Sequence, residues 1–379
     1  MRILHLADLH IGKLFYNIHL TEDQGHVLGQ ITDIVRDEGV DVVVIAGDVY
    51  DRSVPPVQAT VVMDNFLSTL ILELNKKVII IPGNHDSPER IGFGNRLLRE
   101  KGLFIASKTD GTVAPIVLAD AGGEVTFYPI PYVEPIDLKR TLDDKEIIDF
   151  ESAMRKILTG IGPVASRSVA ISHCFAQGGE ESESERPLSI GGSYRIPVEL
   201  FNQFTLTLLG HLHRPQHVVG SVYYAGSPLK YSFSEINHEK KATIYDLDGN
   251  GTVQQTPIPL SPLRNLRKLE GVMDEIIRAS TGDPAKNDYL WVNLTDRGAL
   301  FNYAARIREC YPNVVNITRS EFQREVQTGA VQDIRRLTET EVLNSFFCHV
   351  TGGGLTDDEV GVMNDILHDL EHGVERGIS

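Results

Sequence analysis

The chain has 379 residues, of which 41% are hydrophobic and 23% charged. That is the make-up of a globular protein long enough for two or three domains, and it excludes a mainly disordered, collagenous or membrane-spanning chain. The formal net charge of −16 argues against a protein that grips nucleic acid through a broad basic surface, so any action on nucleic acid needs metals or a partner to offset the repulsion. Cys174, Cys310 and Cys348 are scattered and odd in number. They indicate neither a disulfide framework nor a cysteine zinc site, and they suit a reducing cytoplasm. The opening residues are interrupted by His5 and Asp8 before a signal-peptide apolar region forms.

In chain order, Arg2 to Ala7, Asp41 to Ala46 and Lys77 to Ile81 read as buried strands, with Thr21 to Glu38 and Pro56 to Asn75 as the amphipathic crossover helices between them. From about Gly102 to Pro259 helices thin out and short β runs dominate, the clearest being Val125 to Ile130, Ser168 to Ser172, Thr205 to Leu209, Ser221 to Ala225 and Ala242 to Asp246. The acidic run Glu180 to Glu185 reads as a solvated loop. Pro257 to Pro262 looks like a linker, after which an α, β, α, β order predicts a small second domain: Leu269 to Ala279, Tyr289 to Leu294, Leu300 to Cys310 and Val314 to Ile317. The tail carries two helix candidates with capping boxes, Thr338-x-x-Glu341 and Thr356-x-x-Glu359.

The strands run directly into polar clusters. Asp8, His10, Asp48, Asn84, His173, His211 and His213 each follow a predicted strand. In open α/β sheets the ligand crevice lies beyond the carboxyl ends of the strands, so these groups are expected on one rim. Imidazole, carboxylate and amide oxygen form a hard-to-borderline set suited to divalent metals, and the number of groups is enough for two. A short Asp presented after a glycine, Asp48, is the candidate to bridge both.

The blocks Asp8-x-His10, Gly47-Asp48-x-x-Asp51, Gly83-Asn84-His85-Asp86, Ser172-His173 and Gly210-His211-x-His213, in this order, resemble the calcineurin-type metallophosphoesterases. Within them the chain is most similar to the nucleases that repair double-strand breaks, on Gly210 to Gln216, Tyr224 to Glu235 and the opening Arg2 to Leu14. The resemblance covers residues 1–250 well and the remainder in outline. It implies an α/β fold: a β-sandwich flanked by helices in four layers (αββα) over residues 1–260, a small α/β capping domain over 265–330 that helps grip DNA, and a helical tail over 338–379. The tail's apolar faces, Val342, Phe346 and Phe347 on one helix and Met363, Ile366, Leu367 and Leu370 on the other, are expected to dock on a partner's coiled coil.

The same resemblance implies two divalent cations, manganese by preference: one held by Asp8, His10, Asp48 and His213, the other by Asp48, Asn84, His173 and His211. His85 would protonate the departing oxygen or bond the phosphate, and Asp51 would bond His85 and fix its tautomer. Archaeal members of the nuclease family carry histidine where this chain has Asp51. The implied activity is exonuclease on duplex ends and endonuclease on single-stranded or hairpin DNA. A homodimer within a heterotetramer, partnered by a coiled-coil ATPase in the cytoplasm, would carry it out. Gly47-Asp48-x-x-Asp51-Arg52 also resembles the Ser/Thr phosphatase signature, in which the arginine grips a phosphate. A phosphodiesterase or phosphatase for nucleotides or phosphoproteins is therefore the alternative enzyme, with Arg52 as a substrate contact, and a catalytically silent scaffold is the third reading. The second domain and tail weigh against the former, the full ligand set against the latter.

Overall fold

The computed structural model describes residues 1–185, 194–298, 300–320, 356 and 359–362. It opens with β1 (Arg2–Leu6), α1 (Thr21–Asp37), β2 (Val42–Ala46), α2 (Val57–Ser68), β3 (Lys77–Ile81) and β4 (Leu103–Ile105). There follow β5 (Ile116–Asp120), β6 (Gly123–Ile130), α3 (Phe150–Ile161), β7 (Ser168–His173), β8 (Leu206–Gly210), β9 (Gln216–Val219), β10 (Val222–Tyr224), β11 (Lys241–Leu247) and β12 (Val253–Pro259). The last elements are β13 (Leu266–Gly271), α4 (Met273–Ser280), β14 (Tyr289–Leu294), α5 (Tyr303–Cys310) and β15 (Val314–Arg319).

Two six-stranded sheets carry the first unit, in the orders β12-β11-β1-β2-β3-β4 and β9-β10-β8-β7-β6-β5. In the first, β1 to β4 are parallel and β11 and β12 are added antiparallel; in the second, β6, β7, β8 and β10 are parallel. The buried parallel strands are near-continuous runs of aliphatic residues, Val42-Val43-Val44-Ile45 in β2 and Val78-Ile79-Ile80-Ile81 in β3, because both faces of such a sheet are covered. One core lies between the sheets and joins Ile3, Val44 and Ile79 to Phe127, Val169 and Leu208. A second covers the other face of the second sheet, where Met154, Ile157 and Leu158 of α3 meet Tyr128, Ala170 and Leu209. Each fully buried aliphatic side chain contributes roughly 1.5–3 kcal/mol.

The described residues divide into two compact units, Met1–Lys268 with Asn287–Leu290, and Leu269–Lys286 with the described residues from Trp291 onward. The second contains α4, α5, β15 and the later residues of β13 and β14; these three strands form a sheet in the order β13-β14-β15.

Three expectations are corrected. Pro257 and Pro259 lie on β12, opposite Thr243 and Lys241, and not in a linker. The strand is at the sheet's edge, where a residue without an N–H costs no ladder bond on the open side. The stretch read as a helix from Leu269 begins as strand β13, and α4 starts only at Met273, after Gly271 at φ 157°. Finally, the β-rich middle also holds the 12-residue α3, started by Asp149, which accepts from Ser152 N at 2.8 Å in a capping box. In the tail, Thr356 and Glu359 form the expected reciprocal cap, with Thr356 N to Glu359 Oε2 at 2.8 Å. Thr338-x-x-Glu341 and the apolar tail residues Val342, Phe346, Phe347, Met363, Ile366, Leu367 and Leu370 lie outside the described residues.

Candidate metal centre

Pairing continues past the strand ends. Asp8 N donates to Gly47 O at 3.1 Å and His10 N to Asp48 O at 2.9 Å, so the loops after β1 and β2 stay in register as they leave the sheet. Asp8, His10, Asp48 and His211 then adopt left-handed backbone at φ 53°, 45°, 49° and 106°. Conformations of this kind cost about 1–3 kcal/mol each and persist where surrounding structure imposes them. Gly83, after β3, lets the third loop approach the second: a Cβ there would stand 2.2 Å from Asp48 Oδ1 and 2.4 Å from Asp48 N. Asp86 ties these loops together, accepting from Val49 N, Tyr50 N and Gly83 N at 2.9–3.0 Å.

On this rim the loops of the two sheets meet. Asp8, His10 and His213 bring ligand atoms within 4.8 Å of one another, as do Asp8, Asp48 and His173. His10 Nε2 is 3.1 Å from His213 Nε2. A single oxygen, Asp48 Oδ2, stands 3.7 Å from His10 Nε2 and 3.5 Å from His173 Nε2. His173 Nδ1 donates to the Ala46 carbonyl at 2.9 Å, which turns Nε2 toward Asn84 Oδ1 at 3.0 Å. A third group of this kind joins His10 to Asp51 and His85, and His211 belongs to none of the three through its ring. Its backbone N–H donates to both Asp8 oxygens, at 2.9 and 3.1 Å, and its ring lies edge-on to His173 with centroids 5.4 Å apart.

The donor set fits divalent cations. Asp8, His10, Asp48, His173, His211 and His213 are all 4% exposed or less, and His10 Nδ1 is buried without a hydrogen bond among the described residues, the nearest carboxylate oxygen being Asp51 Oδ1 at 3.6 Å. Burial drives the Asp8 carboxyl up to about 7, and burial with the nearby Asp48 charge does the same to Asp86. Burial opposes a charge on His173, yet the carboxylates of Asp48 and Asp8 still push it up to about 9. A cluster of buried oxygens that draws a proton onto a buried imidazole is short of positive charge, and a cation among carboxylate, amide and imidazole donors supplies it.

His85 stands beside this group, its ring edge-on to His10 with centroids 4.7 Å apart, while its backbone N–H donates to Asp48 Oδ1 at 2.9 Å. The expected bond to the Asp51 side chain is not the one formed. His85 Nδ1 donates to the main-chain carbonyl of Asp51 at 2.8 Å, because the Asp51 carboxylate is turned to Lys13 Nζ at 2.8 Å. Arg52 is exposed and makes no ion pair among the described residues. Cys174 and Cys310 are free thiols, and Cys348 lies outside the described residues.

Sequence reasoning missed Lys13, Asp86, and a set around His213. The acidic run read as solvated loop supplies Ser184, whose Oγ is 2.6 Å from His213 Nδ1, and Glu185, whose Oε1 accepts from His213 N at 2.7 Å. The only sequence signal for the remaining partner, Glu235, is its place at the end of the Tyr224 to Glu235 block.

Comparison with known proteins places this geometry in a family. The profile of the calcineurin-like phosphoesterases matches residues 1–215, and that of the Type 5 capsule protein repressor C-terminal domain matches residues 262–351. Two relatives, each named as the SbcD component of the nuclease SbcCD, are 31% identical and cover 97% of this chain and 98% of their own, one from Staphylococcus epidermidis over 371 residues and one from Staphylococcus saprophyticus over 372. A dimetal phosphatase from Danio rerio aligns at 11% identity with a TM-score of 0.38, over 69% of this chain and 99% of its own.

Proposed function

We propose, from the premise that this chain belongs to the calcineurin-like phosphoesterases and within them to the SbcD family of SbcCD nucleases, that it is a metal-dependent DNA nuclease subunit. It would act as exonuclease on duplex ends and endonuclease on single-stranded or hairpin DNA, in the cytoplasm, beside an SbcC-type coiled-coil ATPase. The observation that carries the reading is the position of Asp48 Oδ2 between His10 and His173, which suits a carboxylate shared by two cations.

On this reading Asp8, His10, Asp48 and His213 hold one cation, and Asp48, Asn84, His173 and His211 the other, with manganese as the metal. When bound, the cations supply Lewis acidity to the scissile phosphate and lower the pKa of water. The chain's own part is placement. Gly83 and Asp86 fix the Asp48 and Asn84 loops against each other. His85, held through Nδ1 by the Asp51 carbonyl, keeps Nε2 free for the phosphate or the departing oxygen, as a positioned general acid requires. Residues 1–260 are then the catalytic domain, 265–330 a capping domain that shares the grip on DNA, and 338–379 the segment that binds the ATPase. Phe93, Leu97 and Leu98, at 85%, 78% and 37% exposure, support a homodimer contact close in sequence to His85.

The test is purified chain with Mn²⁺ on end-labelled duplex, a DNA hairpin and an aryl phosphate diester. Cleavage of both DNAs is expected. Cleavage of the small ester alone would favour the second reading, a phosphodiesterase or phosphatase for nucleotides or phosphoproteins, which the exposed Arg52, without an ion pair among the described residues, supports.

A further inference from the structure

His213 is held at three points by groups outside the ligand sets. Its N–H donates to Glu185 Oε1 at 2.7 Å, its carbonyl accepts from Lys240 Nζ at 2.8 Å, and its ring Nδ1 meets Ser184 Oγ at 2.6 Å. Ser184 Oγ also lies 2.5 Å from Glu235 Oε1. A carboxylate only accepts, so the Ser184 hydroxyl hydrogen points to Glu235 and its lone pair points to Nδ1. Nδ1 then carries the imidazole hydrogen. Nε2 is left with its lone pair, on the side where Asp8 and His10 converge.

The direction of this chain of bonds is set at its far end. Glu235 is fully buried, and its second oxygen, Oε2, takes the ammonium of Lys240, itself 7% exposed, at 2.5 Å. Lys240 spends its other bonds on the His213 carbonyl and on Ser227 Oγ at 2.8 Å. A buried ion pair is on average no more stabilising than apolar side chains of the same volume. Stability alone therefore gives little reason for one behind His213.

We infer that Glu235 is a positioning residue for the metal centre: through Ser184 it fixes the Nδ1–H tautomer of His213 and so presents the Nε2 lone pair to a cation. Lys240 supplies the counter-charge that orients Glu235. The inference rests on the reading of His213 as a ligand, and partners of this type set ligand orientation and basicity in metal sites generally.

Glu235→Gln makes the inference testable with almost no change of shape. Lys240 is a pure donor, so it attracts the amide oxygen and turns the amide NH₂ toward Ser184. With Ser182→Ala alongside, which removes the other acceptor of the Ser184 hydroxyl, Ser182 Oγ at 2.9 Å, Ser184 must then accept from the amide and donate to Nδ1, which moves the imidazole hydrogen to Nε2. Nitrogen-15 NMR of metal-free protein labelled at histidine should show His213 exchange its Nδ1–H signature for Nε2–H. Calorimetry with Mn²⁺ should show one of two sites weakened by roughly 10- to 100-fold. Ser184→Ala, which leaves the Glu235–Lys240 pair intact, should weaken the same site and is the variant to use if Glu235→Gln does not fold. Unchanged Mn²⁺ affinity and an unchanged His213 signal in the folded variants would overturn the positioning role while wild-type protein still binds two ions. Failure of wild type and His213→Ala to differ in Mn²⁺ stoichiometry would instead remove the ligand reading beneath it.

Discussion

The imidazole of His85 is anchored by the backbone of Asp51 and not by its carboxylate, at 2.8 Å from Nδ1 to the carbonyl oxygen. A side-chain substitution at residue 51 leaves that bond in place. His85→Gln should keep both metals and cut turnover by about 10²–10⁴, the scale for losing a positioned general acid. Asp51→Asn should cost only a few-fold, mostly through release of Lys13. Single-turnover kinetics on a labelled duplex separates the two, and an equal loss in both variants would restore the carboxylate as the orienting group.

Asp48→Ala should remove both metals and all hydrolysis, because one oxygen faces His10 and His173 together. His10→Ala should empty one position. Metal analysis by mass spectrometry decides it: two tightly held ions in the Asp48 variant would end the bridging role.

Gly83→Ala should mimic the loss of Asp48 without touching a ligand. The new methyl group would fall 2.2 Å from Asp48 Oδ1 and 2.4 Å from its backbone nitrogen, so the loop after β2 must move. Loss of Mn²⁺ binding with the far-ultraviolet circular dichroism of wild type is the expected result, and wild-type binding is the contrary one.

His5 offers a pH test away from the metal centre. It lies on β1, fully buried, with neither ring nitrogen in a well-formed hydrogen bond among the described residues, and burial pushes its pKa down to about 3 against a smaller opposing effect of the Leu209 backbone. The folded chain keeps it neutral while the unfolded chain takes up a proton near the ordinary value of 6.5. Its contribution is thus intact above about pH 6.5 and is lost as pH falls toward 3, at about 1.4 kcal/mol per pH unit within that window. Urea melts from pH 7 to 4 should lose stability more steeply for wild type than for His5→Leu; parallel curves would show that His5 is protonated in the fold.

A chain ending at Leu337 should still bind Mn²⁺ and keep basal nuclease activity, yet fail to co-purify with an SbcC-type ATPase. Aggregation or loss of metal in that truncated chain would assign the tail to the protein's own core.

The rim was legible because strand ends can be read from a run of Val and Ile that stops at Gly or Asp, as at Ala46-Gly47-Asp48 and Ile81-Pro82-Gly83-Asn84. Which backbone atom a side chain meets is not written that way. The resemblance brings His85 and Asp51 together, but carbonyl and carboxylate of one residue are indistinguishable in a one-letter code, and the bond runs to the carbonyl. Ser184 was lost inside a charge run because its partners are 29 and 51 residues away, and composition carries no distance. The helix α3 has a sequence signal of its own: Asp149 and Ser152 at cap spacing, at the head of the helical pattern Phe150, Ala153, Met154, Ile157 and Leu158 that it buries.

The two sheets contribute opposite halves of the candidate metal centre. Asp8, His10, Asp48 and Asn84 follow strands β1 to β3 of the first, while His173, His211 and His213 end or follow β7 and β8 of the second. An ion seated among them is therefore also a rivet through the sandwich. Ligation that favours the folded chain adds about 2.7 kcal/mol at a hundredfold excess over the dissociation constant. Chelation should accordingly cost the nuclease more than its chemistry: the layers lose their clasp, and the seam beside the catalytic rim becomes the first part of the sandwich to breathe.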